Sequence, residues 1–177
     1  MLEKLGGVVA ETPSHIGMFI DGAWQAESAA PVVEIENPAN GDIIGTVPGG
    51  SAEHAQAALD AAKRAQPGWA AIPAPERGRL VGLLADAVRD HRDLLAHVVV
   101  AEQGKPLNQA YGEIGATEAF LRYAAESARR IEGDIMPSDA ANEEIWIRRA
   151  PYGVVVGLTA WNYPSALTAR KLGPALV

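Results

Sequence analysis

An asparagine stands where a short apolar run gives way to a helical pattern, in the segment GLTAWNYPSALTARKLGPALV. Asn162 lies between two aromatic residues, and Pro164 follows at a position that suits the first turn of a helix. A carboxamide at such a junction can cap the helix through its oxygen or present its N–H groups to a bound molecule. The spacing alone favours the cap, because asparagine is among the preferred N-cap residues.

Composition excludes several other kinds of chemistry. The chain has no cysteine, so it carries no disulfide framework, no thiolate nucleophile and no thiolate metal ligand. Its four histidines lack the spacing of metal ligands, and we predict no metal site.

Two glycine-containing motifs have structural explanations. Gly153 and Gly157 do not complete the G-x-G-x-x-G pattern of dinucleotide sites, so the sequence predicts close packing or a turn there. In EQGKP, Gly104 is predicted to end one helix and Pro106 to begin the next. The neighbouring carboxylates are predicted to lie on the surface without a catalytic role: Glu102, Glu113, Glu118 and Glu126.

Net charge narrows the class of partner. A formal charge of -7 argues against nucleic acid and anionic membrane surfaces, which repel an acidic protein. The longest apolar stretches are far shorter than the roughly 20 residues of a membrane span. The first residues lack the apolar core and cleavage site of a secretory signal. We therefore expect a cytoplasmic protein that binds a small molecule.

The N-terminal part of the chain predicts a small antiparallel region after a flexible tail over residues 1–17. MFIDGAWQ alternates apolar residues about Asp21-Gly22, a dipeptide that suits a two-residue hairpin turn. VVEIENPANGDIIGTVP predicts two more short strands, broken by Asn-Pro and Asn-Gly pairs.

Residues 51–133 predict a mostly helical layer. Ser51 is a candidate N-cap, a helical run leads from Pro75 to the stop at Gly104, and the next helix is predicted to end at Gly133. Helical spacing predicts packed faces on the first two helices, made of Ala55, Ala58, Leu59 and Ala62 and of Leu80, Leu83, Leu84, Ala87 and Val88.

Beyond the helical layer the pattern changes twice. DIMPSDAANEEIWIRRAP predicts a two-stranded ribbon that needs another surface to lie on. GVVVGLT predicts a buried parallel strand, which a helix over residues 165–177 extends into a strand-turn-helix unit. Because a parallel strand requires neighbours and the helix has no capping residue, we expect the front part of a longer protein or completion by another chain.

The order of these segments resembles the N-terminal part of the NAD(P)-dependent aldehyde dehydrogenase superfamily. NPANGDIIGTVP, AAKRAQPGWA, ERGRLVGLLADAVRD and EQGKPLNQAYGEI carry the resemblance, which covers nearly everything after about Met18. The most specific piece is the family turn P-W-N-F/Y-P with a lysine nine residues after the asparagine. Trp161, Asn162, Pro164 and Lys171 match it, while Ala160 replaces the usual first proline.

The resemblance implies an α/β fold with a helical layer and three functional parts. These are the N-terminal part of a cofactor-binding domain (residues 18–132), an oligomerisation arm (133–150) and the truncated start of a Rossmann-like unit (151–177). NAD or NADP is implied to lie against Leu158, Thr159, Ala160, Trp161 and Asn162. Tyr163, Leu167 and Arg170 match positions at the inner end of the substrate tunnel.

The resemblance also implies a covalent mechanism. In this family a cysteine thiolate attacks the aldehyde, and the hemithioacetal oxygen becomes anionic before hydride transfer. Asn162 matches the asparagine whose side-chain N–H stabilises that oxygen, and Lys171 matches a lysine coupled to the general base. The cysteine and the general-base glutamate lie beyond Val177 in family members, so we expect this chain alone to be inactive.

The sequence around Arg170 is informative about the substrate. Ala-Arg-Lys resembles lactaldehyde- and succinate-semialdehyde-type members, and a guanidinium can bind a carboxylate or a hydroxyl, so we expect a small polar or acidic aldehyde. A homo-oligomer, dimer or tetramer, is the implied assembly. Two alternatives stay open: a short non-enzymatic association module derived from the same family, and an acylating dehydrogenase on the same scaffold.

Overall fold

The computed structural model describes residues 14–15, 17–25 and 31–177. Within these ranges the strands are β1 (Ser14–His15), β2 (Met18–Ile20), β3 (Ala23–Gln25), β4 (Val32–Glu36), β5 (Ile43–Pro48), β6 (Asp134–Pro137) and β7 (Glu144–Ile147). The helices are α1 (Ala52–Ala71), α2 (Ala74–Asp90), α3 (Arg92–Gln103), α4 (Leu107–Ser127), a 3-10 turn (Ala128–Arg130) and α5 (Pro164–Leu176). Apart from residues 14, 15 and 17, the predicted tail lies outside the described residues.

The predicted N-terminal hairpin is confirmed. β2 and β3 pair antiparallel, and Phe19 lies opposite Trp24. Asp21 and Gly22 both have positive φ, at 54° and 77°, as a two-residue hairpin turn of this type requires. The two further strands are also confirmed: β5 pairs antiparallel with β4 and, on its other side, parallel with β1.

The helical layer is confirmed, with different internal boundaries. The Ser51 hydroxyl accepts a hydrogen bond from the His54 N–H at 3.4 Å and caps α1. Gly104 ends α3 in the left-handed conformation, with φ 66°. The run predicted from Pro75 to Gly104 is divided at His91 into α2 and α3, because the backbone there leaves helical geometry. α4 ends at Ser127, and the 3-10 turn follows it.

α4 lies at the centre of the helical layer. It contacts α2, α3 and α5, and it contributes residues to both apolar clusters. One cluster contains Val81, Ala85, Leu121, Ala124 and Ala169, and the other contains Ala96, Val99, Ala110 and Ile114. Ala169 of α5 belongs to the first cluster, so the position of α5 depends on its packing against α4.

A polar contact also joins α4 to α2. Arg122 of α4 donates a hydrogen bond to Asp86 of α2 at 3.1 Å, which lowers the pKa of that carboxyl group.

The predicted packed face of α2 is confirmed at Val88, which packs against both apolar clusters, and is wrong at two of its leucines. Leu83 and Leu84 are exposed, whereas Gly78, Val81 and Ala85 are buried. The reason is the close approach of two helices: a Cβ atom on Gly78 would lie 2.6 Å from the Ala125 carbonyl oxygen of α4. Only small residues permit such a distance, so the larger leucines lie on the other side.

The predicted packed face of α1 is also wrong. Ala55, Ala58 and Ala62 are exposed, and Ala61 is the buried residue of this helix. A stripe of small residues permits a close approach by a neighbouring helix, but no described element covers this stripe.

The C-terminal part contains one confirmed and one incorrect prediction. β6 and β7 form the predicted antiparallel ribbon, and both of its faces are exposed. The strand predicted from GVVVGLT is absent: residues 151–160 have no regular structure, and Val155 and Val156 are mostly exposed. No described strand lies beside this segment to pair with its backbone groups, and a parallel strand forms only with such a neighbour.

No helix within the described ranges has the length and apolar content required to cross a bilayer.

We expect Gly78→Ala to destabilise the helical layer, because the added methyl group would also lie 2.6 Å from the Ala128 Cβ atom. Overpacking of this kind costs about 1–3 kcal/mol. Gly112→Ala is the matched control on α4: that position is exposed, with nothing within 4 Å of an added Cβ. Urea denaturation should show a lower free energy of unfolding for the first variant and an unchanged or slightly higher one for the second. Equal stability of both variants would contradict the close α2–α4 approach.

Candidate functional site

Asn162 lies in the turn that leads into α5. The helix begins at Pro164, and Tyr163 is its N-cap residue, with an extended φ of -142°. The Asn162 side chain is exposed and makes no hydrogen bond to any described residue. The interpretation of Asn162 as a helix cap is therefore wrong, and its amide remains available to a ligand.

Glu113 of α4 provides the cap instead. Its Oε1 atom accepts hydrogen bonds from the Ser165 N–H at 3.0 Å and the Ala166 N–H at 3.4 Å. The residue is only 2% exposed, so its predicted surface location is wrong. The positive end of a helix dipole stabilises a carboxylate, and the two N–H groups lack partners within their own helix. Glu113 thus anchors the start of α5 on α4.

Lys105 completes this arrangement from the loop before α4. Its ammonium group forms an ion pair with the Oε2 atom of Glu113 and donates a hydrogen bond to the Asn162 carbonyl oxygen at 2.9 Å. The same nitrogen lies 3.9 Å from the centre of the Tyr163 ring, within cation–π distance. Gln103 donates to the Trp161 carbonyl oxygen. The EQGKP motif therefore fixes the backbone of the turn, which its explanation as a helix boundary did not anticipate.

A partly buried pair of hydroxyl groups adds a second contact between α4 and α5. Thr117 is 4% exposed, and its hydroxyl is hydrogen-bonded to that of Ser165 at 2.9 Å. It also donates to the Glu113 carbonyl oxygen one helical turn earlier. Thr117 was not identified from the sequence, and Glu113 was predicted to lie on the surface. The available signal was their spacing, since Glu113 and Thr117 share a helical face with the buried Ala110 and Ile114.

The C-terminal end of α5 is held by one cationic and one neutral hydrogen-bond donor. Arg77 donates to the Val177 carbonyl oxygen through Nε at 2.8 Å and through Nη2 at 2.6 Å. The Trp69 indole donates to the Leu176 carbonyl oxygen at 2.9 Å. A cation at the C-terminal end of α5 and a carboxylate at its N-terminal end both interact favourably with the helix dipole.

The other sequence-predicted site residues lie on both sides of the turn. Leu158 and Trp161 are 83% and 82% exposed, and Thr159 and Ala160 between them are exposed too. On α5, the spacing of Leu167, Arg170 and Lys171 places them on one helical face, and Tyr163 is the N-cap residue that precedes the helix. The Arg170 guanidinium lies 5.6 Å from the centre of the Phe120 ring. Lys171 is exposed beside Gly157, whose added Cβ would lie 3.9 Å from the lysine Cδ atom.

The charge of this region differs from that of the chain as a whole. Residues 151–177 contain Arg170 and Lys171 and no aspartate or glutamate, although the chain carries a net charge of -7. No three His, Cys, Asp or Glu side chains of the described residues are grouped as a metal site would need. The local chemistry suits an anionic organic ligand.

Comparison with known proteins gives a consistent group of relatives. A family model described as "Aldehyde dehydrogenase family" matches residues 24–177. The 3,6-anhydro-alpha-L-galactose dehydrogenase of a Vibrio species is 42% identical over 160 residues, which are 90% of this chain and 33% of that protein. The NADP(+) succinate-semialdehyde dehydrogenase of Escherichia coli is 40% identical over 158 residues, 89% of this chain and 33% of that protein.

Solved structures extend this likeness to the fold. The crystal structure of lactaldehyde dehydrogenase from Escherichia coli matches with a TM-score of 0.90 and 38% sequence identity. The match covers 93% of this chain and 35% of that chain. The present chain thus spans about a third of the length of the relatives it matches.

We expect Thr117→Val to lower the free energy of unfolding by about 0.5–1.5 kcal/mol, because it removes the hydroxyl group that is hydrogen-bonded to the Ser165 hydroxyl. Combining it with Ser165→Ala should cost less than the sum of the two single changes. Thr168→Val is the control: its hydroxyl also bonds to a carbonyl oxygen four residues earlier, but it is exposed. Strict additivity in urea denaturation would contradict a coupled hydroxyl pair.

Proposed function

The chain belongs to the aldehyde dehydrogenase family, and on this premise we propose that it forms the N-terminal portion of an NAD- or NADP-dependent enzyme that oxidises a small aldehyde to a carboxylic acid. One observation carries the proposal. The Asn162 amide has no hydrogen-bond partner among the described residues, although the backbone that bears it is fixed by Lys105. The coverage of about a third of each relative supports placing the remaining catalytic groups in further sequence.

The proposed role of Asn162 follows from charge development. A cysteine thiolate, from outside these residues, forms a bond to the aldehyde carbon, and the π electrons of the carbonyl group move to its oxygen. The Asn162 N–H donates to that oxygen as it becomes anionic, and a fixed donor is most effective at this point because no reorganisation is needed. Collapse of the oxyanion releases hydride and leaves a thioester, which water hydrolyses to the acid.

The cofactor supplies the acceptor for that hydride. Residues from Leu158 to Asn162 are proposed to line it, and their exposure supports an available surface. The absence of aspartate and glutamate from residues 151–177 leaves no like charge in this segment to repel the anionic cofactor. We assign Lys171 to proton transfer with a general base that also lies outside these residues, since its ammonium group has no ion-pair partner in the described part of the chain.

A small polar or acidic aldehyde is the proposed substrate class. Leu167 and Arg170 lie on one face of α5 and Tyr163 is its N-cap residue, so the three side chains offer an apolar, a cationic and an aromatic contact. Arg170 forms no ion pair with a described residue, and its guanidinium can bind a carboxylate or hydroxyl of the substrate. The relatives include a succinate-semialdehyde dehydrogenase and a lactaldehyde dehydrogenase, which supports this class.

The ribbon formed by β6 and β7 supports association between subunits. Ile135 and Trp146 are each 65% exposed, and an isolated two-stranded ribbon is marginal in water. We propose that residues 133–150 pack on another subunit of a homo-oligomer. The same ribbon also fits the alternative of a non-enzymatic association module. Under that alternative the native gene product oxidises no aldehyde. An acylating dehydrogenase differs in requiring coenzyme A to release the thioester.

We expect the native full-length protein to oxidise short aldehydes with NAD or NADP, and Asn162→Ala to lower kcat. Loss of one oxyanion donor costs about 10²–10³-fold in kcat. Asn108→Ala is a suitable control, because Asn108 is exposed on α4 and makes no hydrogen bond within the described residues. Steady-state kinetics with nicotinamide absorbance as the readout measures both. A wild-type kcat in Asn162→Ala would remove the proposed role of the amide.

We expect Arg170→Met to alter substrate preference, because a charge-assisted hydrogen bond contributes about 1.5–3 kcal/mol. Loss of that energy corresponds to a fall in kcat/KM of about tenfold to a hundredfold, which we expect for succinate semialdehyde. The value for butyraldehyde should stay nearly unchanged. Arg130→Met, at an exposed arginine in the 3-10 turn, is the matched control. An equal fall for both aldehydes would show that Arg170 does not select the carboxylate.

A further inference from the structure

Lys105 and Glu113 form an ion pair that is almost completely removed from solvent. The side chain of Glu113 is fully buried, and that of Lys105 is 10% exposed. A buried pair is a weak source of stability, because the cost of desolvating both charges offsets much of their attraction. The main effect of this ion pair is to fix the backbone groups that Lys105 and Glu113 bind.

The two residues hold the turn of Asn162 from both sides. The Lys105 ammonium binds the Asn162 carbonyl oxygen, and the Glu113 carboxylate binds the N–H groups of Ser165 and Ala166. The ion pair joins these two anchors into one unit. The Asn162 peptide group and the first turn of α5 are therefore fixed relative to α4.

We propose that Lys105 and Glu113 are positioning residues that set the direction of the Asn162 side-chain amide. The inference rests on the proposed oxidation of an aldehyde. Neither residue touches the reacting atoms: each acts through the backbone that carries the amide donor. A displacement of about 1 Å in such a donor can lower a rate by about a hundredfold.

A role limited to fold stability predicts a different result. If Lys105 only stabilises the protein, its replacement affects enzymes with and without the Asn162 amide by the same factor. If it acts through Asn162, its replacement has little further effect once the amide is removed, because residues that act as a unit are not additive.

The test compares Lys105→Met in the native full-length protein with the same change in an Asn162→Ala background. Methionine keeps most of the length of the unbranched side chain and removes its charged group. We expect kcat to fall about tenfold to a hundredfold with KM changed less than about twofold in the first case. In the second case kcat should fall less than about twofold. The control is Lys63→Met, at an exposed lysine of α1. Equal factors in both backgrounds, or an unchanged kcat in the first, overturn the inference.

A second measurement tests the geometry without activity. Glu113→Gln keeps an oxygen acceptor but loses the charge that strengthens its hydrogen bonds, so the Ser165 and Ala166 amides should exchange with solvent deuterium about tenfold faster. Glu126→Gln, at an exposed glutamate of the same helix, is the control. Unchanged exchange in Glu113→Gln overturns the anchoring inference. If exchange is faster in Glu113→Gln but the wild-type full-length protein oxidises no aldehyde, the proposed function is wrong and the anchoring of α5 by Glu113 still stands.

Discussion

The buried carboxylate of Glu113 is the constraint on which the rest of the candidate site depends. An ionised group that is 2% exposed is tolerated only when its oxygens are fully paired. Here one oxygen takes the first N–H groups of α5 and the other takes the Lys105 ammonium. Because these partners come from a helix end and a loop, satisfying one carboxylate brings three separate parts of the chain together. The turn that carries Asn162 lies between them.

The packing of α4 explains how the carboxylate reaches that position. α2 approaches α4 at Gly78, and α5 approaches it at Gly173, where an added Cβ would lie 3.0 Å from Ala124. Small residues at both contacts bring the helices close, and the close approach of α5 places its N-terminus within hydrogen-bond distance of Glu113. At its far end, Arg77 and Trp69 bind the last carbonyl groups. α5 is thus held along its length, which gives the face that carries the proposed substrate contacts a defined orientation.

Short sequence motifs correctly predicted the elements whose geometry depends only on neighbouring residues. The hairpin at Asp21-Gly22 and the stop at Gly104 follow from positive φ, and they were predicted correctly. Periodicity identified the helices but not their buried faces, because exposed Leu83 and Leu84 resemble core residues until the neighbour at Gly78 is known. Glu113 could not be found in this way either, since its burial depends on N–H groups 52 residues further along the chain. The strand expected at residues 153–159 failed for the same physical reason: its partners are not among the described residues.

The same capping arrangement bears on how an anion could be stabilised beside α5. The N-terminus of a helix is itself an anion site, through its free N–H groups and its dipole. In this chain those N–H groups already bind Glu113, and Lys105 offsets the carboxylate charge. The helix end is therefore not available to the oxyanion of the proposed mechanism, which requires a separate donor. We propose Asn162 as that donor, because an amide donates a hydrogen bond without adding a charge that would disturb the neighbouring pair. The proposed division of roles follows: the ion pair fixes the backbone, and the amide it positions meets the developing negative charge.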